Sequence, residues 1–457
     1  MTRPNIVMLL TDQQRWDTIA SMGYEWMYTP NLDRLMSRGV GFDYGFCNSP
    51  VCMPSRQSLF TGQYPSAIGC MDNGVELPES QEIFPQLLKR AGYITANIGK
   101  LHFKNHSTRD HRDSHPSYGF DHLILSDEPG CYDDAYIEWV RNHGEAWVDQ
   151  VRCGSPPECM TEVPIAKPRE VHEPHIFEAP DHLTHSAFVA EKSVEFIDQQ
   201  GQQPFFLCAG FYAPHAPINP PERFLAHYQN GQWPVPTPDA EGQGLKLSDD
   251  HWRRIQQYYY ALISHVDDQV GRILSALEHK GMLDNTVIVF TSDHGEHLGD
   301  HGLIQKGPPG LDSCTRIPFI ISWPKQWQAS RNSNAFVELV DVAPTILGCA
   351  EVPVPSYYQG QSLRPVLEGK SQGRQSAYTE FRTPFGQSWK ALRNHHGRLC
   401  VNQSGQGFLF DHQSDPKESQ NLFNFPQSQR LQAQLKDELF SRWFETEKQL
   451  PRKTGAY

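Results

Sequence analysis

The chain has 457 residues, 38% hydrophobic and 20% charged, with a formal net charge of −13 at pH 7. That length leaves room for one large domain with an ample core and a smaller one beside it. The acidic balance excludes a general nucleic-acid binder, because no basic surplus exists to neutralise phosphates, and no apolar stretch has the length that a membrane span needs. The ten cysteines are scattered, and only Cys153 and Cys159 are close enough to suggest a local bridge. A reduced, cytoplasmic protein is expected, since the N-terminal run reads as a strand rather than a signal peptide; a trimmed leader would leave a periplasmic or secreted protein looking the same.

In chain order, Asn5 to Leu10 is apolar and β-rich and ends at Thr11-Asp12-Gln13-Gln14. This predicts a buried parallel strand with a carboxylate at its C-terminal end, where open α/β sheets place ligands. A helix is expected over Asn31 to Arg38. Pro50 to Gly62 then carries Cys52-Met53-Pro54-Ser55-Arg56: a thiol at a helix start, a proline at an early helical position and an arginine one turn below. Free first-turn N–H groups and a guanidinium fork make such a segment an anion site, although a plain buried cysteine at a helix start has the same spacing. Phe84 to Ala91 reads as an amphipathic helix and Tyr93 to Ile98 as a strand. That strand leads into Gly99-Lys100-Leu101-His102, with Lys100 and His102 at alternate positions on one side.

Residues 104–180 are irregular and rich in His, Pro, Asp and Trp, as expected of an insertion that reads a substrate. Tyr132, Trp139 and Trp147 would suit sugar faces, and Arg109 and Arg112 a carboxylate or another anionic group. A helix is predicted over Thr184 to Ile197, then a strand over Pro204 to Phe211 that runs on to Pro214-His215. A long helix, Asp249 to His279, precedes a strand, Thr286 to Thr291, and the polar run Ser292-Asp293-His294-Gly295-Glu296-His297-Leu298-Gly299-Asp300-His301. After a strand at Pro318 to Ser322 and a helix at Val342 to Leu347, the Pro/Gly/Ser-rich passage Glu351 to Arg374 reads as a boundary. Short strands near Ala391 to Arg393, Leu399 to Asn402 and Phe408 to Phe410, with a helix over Ser428 to Glu445, predict a small antiparallel α+β subdomain. The expected fold is α/β, a large and mostly parallel sheet flanked by helices over 1–375, with the subdomain over 376–457.

Strand ends thus present Asp12 and Gln13, Lys100 and His102, His215, and Asp293 and His294, while Cys52 and Arg56 sit at a helix start. Convergence of these on one sheet edge would hold a divalent metal and a tetrahedral oxyanion together. Taken singly, each has a bland reading: a cap, a core histidine, or, for Lys306, a solvated loop lysine. Asn73, in an Asn-Gly pair, reads as a turn former, and His297, Asp300 and His301 as supports.

The Cys-x-Pro-x-Arg spacing, continued by Ser58-Leu59-Phe60-Thr61-Gly62, resembles the signature of the type I sulfatases of the alkaline phosphatase superfamily, and the likeness runs over residues 4 to 425. The resemblance implies that Cys52 is oxidised to formylglycine by a formylglycine-generating enzyme. It also implies that Asp12, Gln13, Asp293 and His294, with the Cys52-derived group, bind one divalent metal, calcium by family and manganese or zinc by the imidazole donor. Arg56 matches the arginine that steadies the nucleophile, Lys100 and His102 the Lys-x-His motif, His215 the histidine near the leaving group, and Lys306 the sulfate-clamping lysine. Many sulfatases carry Asp-Asp and Asp-Asn at the metal pairs; the Asp-Gln and Asp-His here are similar to choline sulfatases and phosphonate monoester hydrolases. The implied function is hydrolysis of a sulfate ester on a sulfated carbohydrate or other small molecule. Two alternatives stand beside it: a phosphonate monoester or phosphodiester hydrolase using the same site, and a non-catalytic anion-binding protein with Cys52 unconverted. A homo-oligomer is left open.

Overall fold

Two sheets organise the computed structural model, which describes residues 3–160, 172–239, 242, 244–327, 331–382 and 386–447. The first has nine strands: β1 (Asn5–Asp12), β2 (Gly39–Phe46), β3 (Ile94–Gly99), β4 (His122–Leu125), β5 (Phe205–Pro214), β6 (Thr286–Ser292), β7 (Arg316–Ile317), β8 (Phe319–Ser322) and β9 (Arg331–Glu338). Their order is β4-β3-β5-β1-β6-β8-β2-β7, with β9 paired to β2. From β4 to β6 every pairing is parallel; β8 runs antiparallel to both β6 and β2, and β2 pairs β9 in parallel.

β1 is buried along nearly its whole length because helices cover both faces of the sheet. Its side chains alternate between two cores. Ile6, Met8 and Leu10 join Leu59 and Phe60 of the helix Cys52–Thr61 and the helices Phe84–Arg90 and Val342–Cys349. Val7 and Leu9 join the helices His185–Gln199 and Asp249–His279 on the other face. Register then fixes the functional edge: Leu10 lies opposite Gly210 of β5 and Thr291 of β6, and Gly99 of β3 also lies opposite Gly210. The C-terminal ends of β3, β5, β1 and β6 therefore finish side by side.

The second sheet is antiparallel, β10 (Ser376–Arg382), β11 (Ser388–Asn394), β12 (Gly397–Asn402) and β13 (Gly407–Asp411), with the helix Gln429–Glu445 packed on it. Arg442 of that helix reaches back to Glu338 at 2.7 Å, joining the two sheets through a buried ion pair. Among the described residues no helix is long and apolar enough to cross a membrane.

Some expectations need correction. β2, β4, β9 and β10 did not stand out as strands; in β2 the glycines mask the pattern, yet Gly39 is required because a Cβ there would meet Ile321 O at 2.7 Å. Cys153 and Cys159 are both free, the first beside Pro129 O and the second beside Thr108 O. The insertion contains a helix, Ala135–His143, capped by Asp134 through Ile137 N. Trp139 is not a sugar platform: it is buried in the core and donates its indole N–H to Glu191 at 2.8 Å. Tyr132 is likewise buried, stacked on His111 at 3.6 Å, and Trp147 packs against the core. Arg112 pairs with Asp110 and Arg109 bonds Asp113 O, so both are occupied within their own loop. Part of the insertion, 161–171, lies outside the described residues.

Candidate active site

The aligned strand ends bring the predicted residues together. Cys52 is the first residue of the helix Cys52–Thr61 and is 1% exposed. Lys306 Nζ lies 2.9 Å from its Sγ, His294 Nε2 3.2 Å and Asp12 Oδ1 3.8 Å. Arg56, one turn along the same helix, is fully buried; its Nε donates to Asp293 Oδ2 at 2.7 Å, Nη1 to Lys100 O at 3.1 Å, and Nη2 stands 3.5 Å from Asp12 Oδ2. Lys100 Nζ is 2.8 Å from Asp12 Oδ2 and 3.5 Å from Glu128 Oε1, over the ring of Tyr212. Gly99 and Gly210 seat it there: a Cβ on Gly210 would meet Lys100 O at 2.2 Å, so only glycine lets the two strands close at this point.

Four residues, Asp12, Cys52, Asp293 and His294, offer ligand atoms that all lie within 4.8 Å of one another. Gln13, next to Asp12, would add an amide oxygen. Its backbone is left-handed, φ 68°, and is held by Asp293 Oδ1 on its N–H and by the Tyr259 hydroxyl, which donates to its carbonyl at 2.6 Å. Its Nε2 donates to Glu296 Oε2 at 2.5 Å, and its Oε1 is buried without a partner. A buried orphan oxygen is costly, and here it lies beside carboxylates whose natural complement is a cation. His294 Nδ1–H donates to Gly295 O at 2.9 Å, which leaves Nε2 as the ligand nitrogen. Two carboxylates, an amide oxygen and one imidazole fit a hard divalent cation, with tolerance for a softer one.

The charges are interlocked. Burial and the Asp12 carboxylate push the Cys52 thiol up, but Lys306, His294 and Lys100 outweigh them and bring it down to about 5. Burial would raise the Asp12 carboxyl; Lys100, Lys306 and Arg56 instead hold it well below the usual range. Burial opposes the Lys306 charge, yet Cys52 and Asp12 keep its pKa raised. His215 goes the other way: burial and the two lysines, Lys306 above all, hold its imidazole well below the ordinary range against Asp12 and Glu128. Its Nδ1–H donates to Ala216 O at 2.9 Å, so Nε2 carries a lone pair.

His102 is buried, with a left-handed backbone whose N–H donates to Asp127 Oδ1 at 2.9 Å and an Nδ1 without a partner. Asn73 does more than form a turn: its Oδ1 accepts from Met53 N at 2.9 Å and so caps the helix beside Cys52. Asp300 supports the metal-side loop, pairing with Arg15 Nη1 at 2.9 Å and accepting from Thr237 N, while His297 Nδ1 meets Ser313 Oγ at 2.8 Å. His301 turns away to line a cavity. Sequence reasoning passed over Arg15, Asp127, Glu128, Tyr259 and Glu296. Arg15 and Glu296 sit within three residues of a metal pair and could have been suspected. Asp127 and Glu128 follow β4, whose strand character was not evident, and Tyr259 arrives from a distant helix.

A Sulfatase family model matches residues 4–352, and one for the N-sulphoglucosamine sulphohydrolase C-terminal region matches 299–443. The chain is 30% identical to an arylsulfatase of Clostridium perfringens, over 92% of this chain and 90% of that protein. It is 29% identical to an N-acetylglucosamine-6-O-sulfatase of Bacteroides thetaiotaomicron, over 95% and 85% of the two. Among solved structures, the phosphonate monoester hydrolase of Agrobacterium radiobacter shares the fold with a TM-score of 0.84 at 24% identity, over 97% of this chain and 96% of that one. Members of the matched family use a metal ion and a formylglycine in general, and the buried cluster around Cys52 is where this chain would carry both. The chain therefore belongs to the sulfatase family of the alkaline phosphatase superfamily and is a sulfuric ester hydrolase.

Proposed function

We propose that the enzyme removes a sulfate ester from a carbohydrate, with Cys52 as the precursor of the nucleophile. The observation that carries the site assignment is the placing of Lys306 and His294 at 2.9 and 3.2 Å from Cys52 Sγ, with Lys100 and Arg56 balancing the carboxylates behind it. The carbohydrate class is supported by the relative that acts on N-acetylglucosamine-6-O-sulfate and by the sulphohydrolase C-terminal match.

Asp12, Gln13, Asp293 and His294 would hold one divalent ion, calcium by the predominance of oxygen donors, with manganese or zinc accommodated by the imidazole. Bound there, the ion supplies positive charge next to the ester's oxygens. Formylglycine made from Cys52 by a maturation enzyme supplies, as its hydrate, two hydroxyls on one carbon, one to attack sulfur and one to expel the sulfate afterwards. The chain's own residues do the rest. Lys306 and Lys100 balance the charge of the sulfate oxygens. Arg56 orients Asp293 through the hydrogen bond from its Nε. Lys306 brings a proton-bearing group to the reacting centre. His215 is uncharged until an anionic ester offsets the two lysines; once protonated it can deliver its proton to the leaving oxygen. His102, with a free ring nitrogen, is suited to take the proton from the second hydroxyl.

A panel of sulfated mono- and disaccharides, beside choline sulfate, an aryl sulfate and an aryl phosphonate, tests this directly. Turnover of sugar sulfates is expected; activity confined to choline sulfate or to the phosphonate would reject it. The phosphonate reading is favoured by Gln13 and His294 at the second positions of the Asp-Gln and Asp-His pairs, a pattern similar to that of phosphonate monoester hydrolases and also of choline sulfatases. Intact-protein mass spectrometry is expected to find Cys52 converted in the active fraction, and elemental analysis of protein purified without chelator is expected to find calcium.

A further inference from the structure

We infer that Asp127 is a positioning residue for His102, holding it in the conformation from which its imidazole takes a proton as sulfate leaves; this rests on the reading of His102 above. β4 runs parallel to β3 with Leu125 opposite Gly99, so the chains leaving the two strands travel side by side. Ser126 N–H donates to Gly99 O at 3.2 Å and adds one bond to the ladder, while Lys100 N–H turns to Gly210 O at 2.8 Å. The next two amides, Leu101 N–H and His102 N–H, both donate to a single atom, Asp127 Oδ1, at 2.7 and 2.9 Å. Successive N–H groups converging on one anion form a nest, and here a carboxylate side chain takes over where the ladder ends.

The nest decides the backbone of His102. Its φ of 61° is left-handed, a region that a residue with a β-carbon rarely adopts. On either side, Leu101 and Phe103 are buried in the core with Leu59 and Phe60, and Phe103 O accepts from Leu77 N at 2.9 Å. The segment is thus pinned at its flanks by packing and at its centre by Asp127, itself only 6% exposed. Without the carboxylate, two converging N–H groups would lose their acceptor and the left-handed turn would lose what offsets its strain.

The imidazole shows what the turn is for. In His294 and His215 the Nδ1–H donates to the following carbonyl, Gly295 O and Ala216 O, each at 2.9 Å, and that bond aims the ring. His102 Nδ1 is buried and has no partner among the described residues. Its ring is therefore aimed by the backbone at residue 102, and Asp127 fixes that backbone. Glu128, the next residue, stands 3.5 Å from Lys100 Nζ, so the pair that follows β4 reaches both members of Lys100-Leu101-His102.

The consequence is confined to half of turnover. In the first half the alcohol leaves and sulfate stays on the group made from Cys52. In the second, the remaining hydroxyl gives its proton to His102, its O–H electron pair closes the carbonyl, and the C–O bond to sulfate breaks with its pair going to sulfate.

The test compares Asp127→Ala, Asp127→Asn and His102→Ala in converted, metal-loaded full-length enzyme, on the sulfate ester of the panel above that is turned over fastest. There kcat/KM reports the first half and kcat the slower of the two. Asp127→Ala should lower kcat about tenfold or more, with KM falling in step and kcat/KM nearly unchanged. Rapid-quench samples should then show a stoichiometric burst of alcohol, and intact-protein mass spectrometry an enzyme carrying one added SO3. His102→Ala should give the same pattern with a loss of about a hundredfold or more. Asp127→Asn, which keeps an oxygen for both amides, should recover most of kcat. Independently of turnover, hydrogen exchange in unconverted, chelator-treated Asp127→Ala should speed up at Leu101 and His102 and stay slow through β3. A burst with His102→Ala but not with Asp127→Ala, or unchanged exchange at the two amides, overturns the inference and leaves the reading of His102 standing. No burst with His102→Ala removes that reading and the inference with it.

Discussion

Replacing Arg56 by methionine isolates the electrostatic balance on which the site depends. The guanidinium and both of its acidic partners are completely buried, and Nε to Asp293 Oδ2 is 2.7 Å. Asp12 keeps Lys100 at 2.8 Å after the substitution, so the loss falls mainly on Asp293, which retains the backbone N–H groups of Gln13 and His294 and the His294 imidazole 3.7 Å away. Removing one member of a buried, hydrogen-bonded pair costs about 3–5 kcal/mol, because the remaining charge has lost its partner but not its burial. Methionine fills much of the vacated volume and limits any cavity contribution. Urea unfolding followed by the emission of the ten tryptophans, in chelator, should show that loss as a lower midpoint at unchanged slope. Calcium should then stabilise the variant, by about 2.7 kcal/mol at a hundred times its dissociation constant, since the uncompensated carboxylates face the ion. A loss below about 1 kcal/mol in chelator would refute the reasoning, because it would mean that the buried Arg56–Asp293 pair does not support the fold.

Cys52→Ala and Cys52→Ser should both reduce turnover to background while melting close to the unsubstituted protein, since neither side chain can become an aldehyde hydrate; appreciable catalysis by either at this site would falsify the nucleophile assignment. In unconverted, chelator-treated protein, Cys52 with a pKa of about 5 should be alkylated at a nearly constant rate from pH 8 down to pH 6 and slow only as pH falls through about 5. Cys208, Cys314 and Cys400, pushed up to about 12 by burial, should stay unreactive throughout, and Lys306→Met should move the Cys52 midpoint upward. A Cys52 profile that breaks at the ordinary thiol value of about 8.5 would contradict the geometry. His215→Ala should slow sugar and alkyl sulfates more than aryl sulfates, whose leaving groups need no proton; equal losses on both would argue against leaving-group assistance.

The chemistry-bearing residues were legible because they are polar groups at the ends of apolar runs. Asp12, Lys100, His215 and Asp293 each follow or close a buried strand, and the Cys52 to Arg56 spacing places thiol and guanidinium one helical turn apart whatever lies around them. Periodicity likewise located the helix Asp249–His279 to the residue. What failed was local contrast. β2 is diluted by glycines whose purpose is close packing, β9 begins with the polar Arg331-Asn332-Ser333-Asn334, and Trp139 and Tyr132 look like recognition residues although the fold buries them.

The sequence by itself therefore determined the donor types, their attachment to strand ends and one helix start, and the α/β class, since these depend on residue identity and short-range spacing. Only the tertiary structure decided which ends meet. The parallel register of β3, β5, β1 and β6 brings Asp12 within reach of groups about 90 and 280 residues away along the chain, Lys100 and His294. It also decided the protonation states. The Cys52 thiol falls to about 5 because of Lys306, His294 and Lys100, and burial, with lysines from other segments, holds the His215 imidazole well below its ordinary range. Coulomb interactions act through space and burial is a property of the assembled core, so neither can be read along a chain.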